Sequence, residues 1–61
     1  MKTNIKNIRQ SLCMSQGQVA ASLNITRSAV ELIEKGHKKL TPDQVKRLCK
    51  LFNVSESQLI V

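Results

Sequence analysis

The feature that most constrains the fold is a pair of short amphipathic segments, within residues 15–36, with almost no chain between them. Only three residues separate the apolar Leu23 from Arg27. So short a connector does not allow antiparallel packing with full side chains between two helices, and it predicts a steep crossing at roughly 90–120°. Ala20 lies one turn before the end of the first segment, where close backbones require a small side chain.

Capping residues predict the boundaries of this helix pair. Ser15 and Gln18 form the S-x-x-Q pattern of a capping box, which begins the second helix of the chain. Asn24 tolerates the left-handed conformation at its end. Thr26 is a good N-cap for the third helix, and Gly36 is a usual stop residue, so we expect that helix to run to about residue 35.

Apolar residues that recur at intervals of three and four predict the other helices. The first helix is predicted to begin at Thr3 or Asn4, and the fourth at Thr41 with Pro42 in its first position. Ser55 caps a short fifth helix. The apolar stripes are Ile5, Ile8 and Leu12 in the first helix, Val45, Leu48, Cys49 and Phe52 in the fourth, and Leu59 and Ile60 in the fifth.

The length of the chain limits its function. Residues 1–61 suffice for one domain, so we expect a single compact all-α domain of five helices. A domain this small buries only about 60% of its unfolded surface, which argues against a deep catalytic cleft and therefore against an enzyme. No stretch resembles a signal peptide or approaches the roughly 18 apolar residues of a membrane span, so a cytoplasmic protein without membrane contact is expected.

The cysteine and histidine pattern predicts neither a metal site nor a cofactor. Cys13 and Cys49 fall in apolar-periodic stretches, where cysteine usually acts as a small buried hydrophobe. One bridge between them is arithmetically possible, but reduced thiols in a reducing cytosol are the favoured interpretation. His37 and these cysteines lack the C-x-x-C or H-x-x-H spacing of a zinc site.

The third helix, over residues 27–35, is predicted to have two unlike sides. At 100° per residue, Ala29, Val30 and Ile33 share a buried arc. The opposite arc is polar and basic apart from one leucine, and consists of Arg27, Ser28, Glu31, Leu32 and Lys35. Because ten Lys and Arg against four Asp and Glu give a net charge of +6, and because an α-helix fits the DNA major groove, this arc favours nucleic-acid binding.

Residues 16–36 contain a recognisable pattern, which consists of Gln16, Val19, Ala20, Leu23, Asn24, Ile25, Thr26, Val30, Ile33, Glu34 and Gly36. This pattern resembles the Cro/C1-type (Xre) helix-turn-helix family, which includes the lambdoid phage repressors. The similarity extends from about residue 5 to residue 60. It implies a lambda repressor-like DNA-binding fold with its helix-turn-helix at 15–36, and a sequence-specific transcriptional regulator, a repressor that binds a palindromic operator as a homodimer.

The resemblance also implies roles for individual residues. Arg27 and Ser28 match base-reading positions, and Arg9 and Glu34 match a partly buried ion pair between the first and third helices. Gln16 is expected to bridge to a phosphate and to support the base readers. The remaining base-reading candidates are Glu31 and Leu32, and the remaining DNA-backbone candidates are Lys35, His37, Lys38 and Lys39.

Several residues on this surface have a second interpretation. Arg27 can be only a helix-surface partner of Glu31, and Glu31 can either accept a hydrogen bond from a cytosine amino group or pair with its neighbours one turn away. Leu32 stands where a polar reader is common, so it reads a thymine methyl group, reads nothing or packs on a partner. Asn24 stands where the family usually has glycine, and it can take the same left-handed turn.

The apolar C-terminus is the candidate contact with a second copy of the chain, through Leu59, Ile60 and Val61. The same segment can instead bind another protein, as in an antitoxin-type interaction module that also autoregulates its operon, because one fold serves both functions. A further alternative is that the chain is the DNA-reading piece of a longer repressor.

Overall fold

The structure, a computed structural model, describes residues 3–60. The helices in that range are α1 (Ile5–Ser11), α2 (Gln16–Leu23), α3 (Arg27–Glu34), α4 (Pro42–Phe52) and α5 (Glu56–Leu59). The predicted all-α architecture of five helices is therefore confirmed. α3 ends at Glu34, one residue before the predicted boundary, and Lys35 occupies its C-cap.

Side-chain caps begin the helices that shape the molecule. Ser15 Oγ accepts from the Gln18 amide at 3.1 Å, and Gln18 Oε1 accepts from the Ser15 amide at 2.7 Å, which completes the predicted capping box. Thr26 Oγ1 accepts from the Ala29 amide at 3.2 Å. Thr41 begins α4 with a second capping box. Each cap stabilises its helix by about 1 kcal/mol, so the sequence sets these helix starts locally.

The turn between α2 and α3 depends on a left-handed residue. Asn24 has φ 56° and ψ 43°, which ends α2, and the amide of the next residue, Ile25, donates to Ala20 O at 3.0 Å. This conformation allows the chain to reach the cap of α3 within three residues. The left-handed turn predicted at Asn24 is confirmed.

The hydrophobic core lies around α2, which packs against both α3 and α4, while α5 packs against α4. Val19, Leu48 and Leu59 are completely buried, and Ala20 is 5% exposed. Leu40, in the connector before α4, is also buried and fixes that connector to the core. The core cluster consists of Ile5, Val19, Ala20, Leu23, Val30, Ile33, Leu40, Val45, Leu48, Phe52 and Leu59.

Two predictions for the end of the first helix are wrong. α1 ends at Ser11, so Leu12 is its C-cap and is 48% exposed instead of continuing the apolar stripe. Cys13 is exposed and has φ 57°, so it is part of a turn and not a buried hydrophobe. Cys49 is partly buried against the core, and both cysteines are free thiols.

The C-terminal segment packs onto the start of the chain. The Asn4 amide donates to Leu59 O at 2.8 Å, and Thr3 forms an isolated antiparallel bridge with Ile60. Leu59 is completely buried within the domain, so its predicted place on a dimer surface is wrong. Ile60 is partly exposed, and Val61 lies outside the described residues.

Candidate nucleic-acid interface

α3 has one buried and one exposed side, as its helical periodicity predicts. The buried residues are Ala29, Val30 and Ile33, and the exposed residues are Arg27, Ser28, Glu31, Leu32 and, at the C-cap, Lys35. Since the buried side is anchored in the core, the helix presents its other side in a fixed orientation. An α-helix with its side chains is about 10–12 Å across, which fits the DNA major groove of about 12 Å width.

The start of α3 combines exposed polar side chains with the positive end of the helix dipole. Arg27 and Ser28 are its first two residues, and both are exposed. The first amides of a helix have no intrahelical acceptor, and the aligned dipoles favour an anion at this end. A guanidinium, a hydroxyl and backbone N–H groups are therefore all available to hydrogen-bond acceptors outside the protein.

A buried ion pair fixes the other end of α3 to α1. Arg9 Nε donates to Glu34 Oε2 at 2.7 Å, and Arg9 Nη2 donates to Glu34 Oε1 at 3.3 Å. Arg9 Nη1 also donates to Met14 O at 3.0 Å, in the turn between α1 and α2. The side chains of Arg9 and Glu34 are 11% and 4% exposed. This two-point contact sets the direction of α3 relative to the first helix.

Gln16 lies at the start of α2 and also contacts this ion pair. Its Nε2 donates to Glu34 Oε1 at 3.0 Å, and the side chain is only partly exposed. An amide nitrogen carries two hydrogens, so one donor of Gln16 is not used by Glu34. The Glu34 carboxylate, which also binds Arg9, therefore holds the Gln16 side chain in place. Gln16 is the residue expected to bridge to a phosphate.

The middle of the exposed side of α3 contains a second, exposed ion pair. Lys35 Nζ lies 3.0 Å from Glu31 Oε1, and the two side chains are 58% and 52% exposed. The hydrogen bond from Lys35 lowers the pKa of Glu31 below its usual 4.5, and the positive charges of Lys35 and then Arg27 act in the same direction. Glu31 is therefore ionised at neutral pH.

A basic connector follows α3. Gly36 has φ 80°, in the left-handed region that favours glycine, and the His37 amide donates to Leu32 O at 2.9 Å. The next buried residue is Leu40, so the residues between it and the glycine remain exposed at the surface. The exposed residues of this connector are His37, Lys38 and Lys39.

Lys6 adds a cation that the sequence analysis did not identify. It is exposed on α1 and, together with Gln16, Glu31, Glu34 and Lys35, lines a cleft of about 210 Å³ beside the exposed side of α3. Lys6 precedes Arg9 by three residues, which places both on one side of a helix. Given the expected contact of Arg9 with α3, that spacing could have indicated the position of Lys6.

Comparison with known families decides the classification. A family model described as helix-turn-helix matches residues 5–59, nearly the whole chain. The chain belongs to the Cro/C1-type helix-turn-helix family. The residues of α2, the turn and α3 thus form a DNA-binding helix-turn-helix, and the resemblance noted from the sequence is confirmed.

The same helix-turn-helix fold occurs in a solved relative. The chain is similar to a structure described as "Crystal structure of transcriptional regulator from Listeria innocua", with a TM-score of 0.89 over 98% of this chain and 20% sequence identity. The chain spans 60% of the length of that regulator. At this identity the likeness supports the fold alone. No curated protein matches the chain at a significant level.

Residues 3–60 contain neither a candidate metal-binding group nor a membrane-spanning helix. No three or more His, Cys, Asp or Glu side chains in this range lie together as a possible metal-binding group. None of its helices is long and apolar enough to span a lipid bilayer.

Proposed function

We propose that the chain is a sequence-specific transcriptional regulator that represses by occupying its operator. The mechanism is binding alone, without a chemical step. The observation that carries the proposal is the exposed start of α3, where Arg27 and Ser28 stand on a helix whose opposite side is fixed in the core. If another part of the chain covered these two residues, they would have no access to a base.

The proposed base contacts follow from the side chains on the exposed side of α3. Arg27 can donate two hydrogen bonds to O6 and N7 of a guanine, and Ser28 can donate to or accept from a neighbouring base. Glu31 can accept from a cytosine amino group, because its carboxylate is exposed on the same helix. Leu32 is the fourth exposed residue of α3.

The proposed phosphate contacts flank these base readers. Gln16 lies before α3 at the start of α2, with one amide hydrogen not used by Glu34. The cations at the other end of α3 suit the sugar-phosphate backbone, because they carry charge without a fixed base-reading geometry. They are Lys35, Lys38 and Lys39, and the exposed His37 lies among them.

Two copies of the chain are proposed to bind two half-sites of a palindrome. One eight-residue helix reaches few bases, and a two-fold pair that reads half-sites about 34–36 Å apart multiplies its selectivity. Of the C-terminal residues predicted for contact between the copies, Ile60 is partly exposed and is therefore the candidate that remains within the described range.

Selection of bound sequences from random duplex DNA tests this proposal. We expect a site with two-fold symmetry, bound with an affinity that falls steeply with salt. If each copy neutralises about four phosphates, log K against log salt has a slope of about −7 for the pair. A flat salt response, or a failure to enrich any sequence, would contradict the proposed function, and an enriched site without symmetry would contradict the dimer.

A further inference from the structure

Leu32 is a large apolar side chain at the centre of a charged surface. It is 43% exposed on α3, although the other exposed residues of that helix are polar or charged. Ser28 lies one turn before it, and the Glu31–Lys35 ion pair lies beside it. An isoleucine or valine on the buried side contributes to the core, whereas the exposed part of Leu32 contributes nothing to folding.

We propose that Leu32 is a specificity residue that contacts the 5-methyl group of a thymine in the major groove. This inference rests on the proposed function and names one base that α3 distinguishes. Of the four bases, only thymine presents an apolar group on its major-groove edge. Leu32 lies one turn after Ser28 on the same side of α3, so a helix that places Ser28 at a base edge also places Leu32 there.

The surroundings of Leu32 favour a base over a protein partner. A stable protein contact buries roughly 800 Å² on each partner, around an apolar centre. Around Leu32, however, the adjacent exposed side chains are Glu31, Lys35 and Ser28, and the basic connector follows. One isolated leucine between charged groups is sufficient to contact a methyl group, and the positive charge around it attracts DNA.

Replacement of thymine by deoxyuridine tests the contact, because it removes only the methyl group. Each thymine of a selected operator is replaced in turn, and affinity is measured by fluorescence anisotropy at one salt concentration. In the wild-type chain we expect the replacement of one thymine in each half-site to weaken binding by about fourfold, the effect of one buried methyl-sized group. In Leu32→Gln the same replacement is expected to leave affinity unchanged.

Two further variants separate this contact from its neighbours. Leu32→Met keeps an apolar side chain of similar size and is expected to keep most of the fourfold effect, whereas Arg27→Ala loses affinity but retains the methyl effect in full. Leu32 is an exposed residue, so thermal unfolding is expected to show that its variants remain folded.

The outcomes distinguish this inference from the function on which it rests. A methyl effect that persists in Leu32→Gln, or the absence of any methyl effect in the wild type, would overturn the thymine contact while the operator itself stands. A Leu32→Gln change that alters association between copies but not thymine preference would likewise overturn it. If no sequence is enriched at all, the proposed function fails and this inference fails with it.

Discussion

Glu31 and Glu34 lie three residues apart on α3, and each carboxylate pairs with a cation, yet their surroundings differ. Glu34 lies 2.7 Å from Arg9 and is 4% exposed, whereas Glu31 lies 3.0 Å from Lys35 and is 52% exposed. The distances are similar, so burial is the property that separates the two pairs. Burial therefore determines how much each ion pair contributes to the stability of the fold.

The buried pair belongs to the fold, and the exposed pair belongs to the binding surface. Loss of one partner of a buried pair leaves a charge in a poorly solvated site, which is strongly unfavourable. An exposed pair is replaced by water with little change in free energy, so Glu31 and Lys35 can separate to meet a base and a phosphate. The inner side of α3 thus fixes its direction, while the outer side remains free to exchange partners.

The largest effect is expected from Glu34→Ala. This change leaves Arg9 buried without its carboxylate and removes the acceptor for Gln16, so the free energy of unfolding should fall by about 3–5 kcal/mol. Urea unfolding measures it. Glu31→Ala on the same helix is the matched control and should shift the urea midpoint far less.

A double variant keeps this test informative if Glu34→Ala does not fold. Arg9→Met combined with Glu34→Leu replaces both charges by apolar groups of similar size, and it should restore most of the lost stability. Equal losses from Glu34→Ala and Glu31→Ala would show that burial does not separate the two pairs.

The second largest effect is expected on DNA binding. Arg27→Ala should reduce affinity for the selected operator by about 1–3 kcal/mol and relax the preference at one base pair, because Arg27 is exposed at the start of α3. Its thermal unfolding should match that of the wild type. Competition assays with single-base operator variants measure the preference. If Arg27→Ala discriminates between these variants as the wild type does, Arg27 is not a base reader.

A smaller and non-selective effect is expected from Lys39→Ala, in the basic connector. The variant should weaken binding to all sequences alike and make the salt slope about one unit shallower for each copy of the chain. Anisotropy titrations over a range of salt concentrations measure both. Lys50→Ala is the control, since Lys50 lines a different cleft with Ser22 and Arg47. A change of base preference in Lys39→Ala would reverse the assigned roles.

The smallest effect is expected from Glu31→Gln as a function of pH. The pKa of Glu31 is below 4.5 in the folded chain, so its charge stabilises the fold above pH 4.5, and this contribution is lost as the pH falls through the lowered pKa. Urea midpoints measured from pH 7 to pH 3 should fall slightly more steeply with decreasing pH in the wild type than in Glu31→Gln. Identical pH profiles would show that the exposed pair adds nothing.

The helix pair and its caps were predictable because their causes are local. Ser15 and Gln18 satisfy each other within one turn, Thr26 caps α3, and Asn24 takes its left-handed turn at a helix end. The two sides of α3 were predictable for the same reason, since a 3.6-residue period fixes which residues share a side.

The remaining features depend on contacts between distant parts of the chain. Leu59 is buried because the C-terminal segment packs against Asn4, and no local pattern distinguishes that leucine from an exposed one. The contact of Gln16 with Glu34 joins residues 18 positions apart. Leu40 directly follows the basic residues His37, Lys38 and Lys39 in the sequence, and only the three-dimensional packing shows it in the core.

Dimethyl sulfate interference tests most directly whether the exposed side of α3 lies in the major groove, as proposed. This reagent methylates guanine N7, which faces the major groove, and adenine N3, which faces the minor groove. We expect guanine N7 methylation in each half-site to block binding of the wild type, and Arg27→Ala to become insensitive to methylation of one of those guanines. Interference by adenine N3 methylation alone, with guanine N7 methylation tolerated throughout the selected site, would contradict this placement of α3.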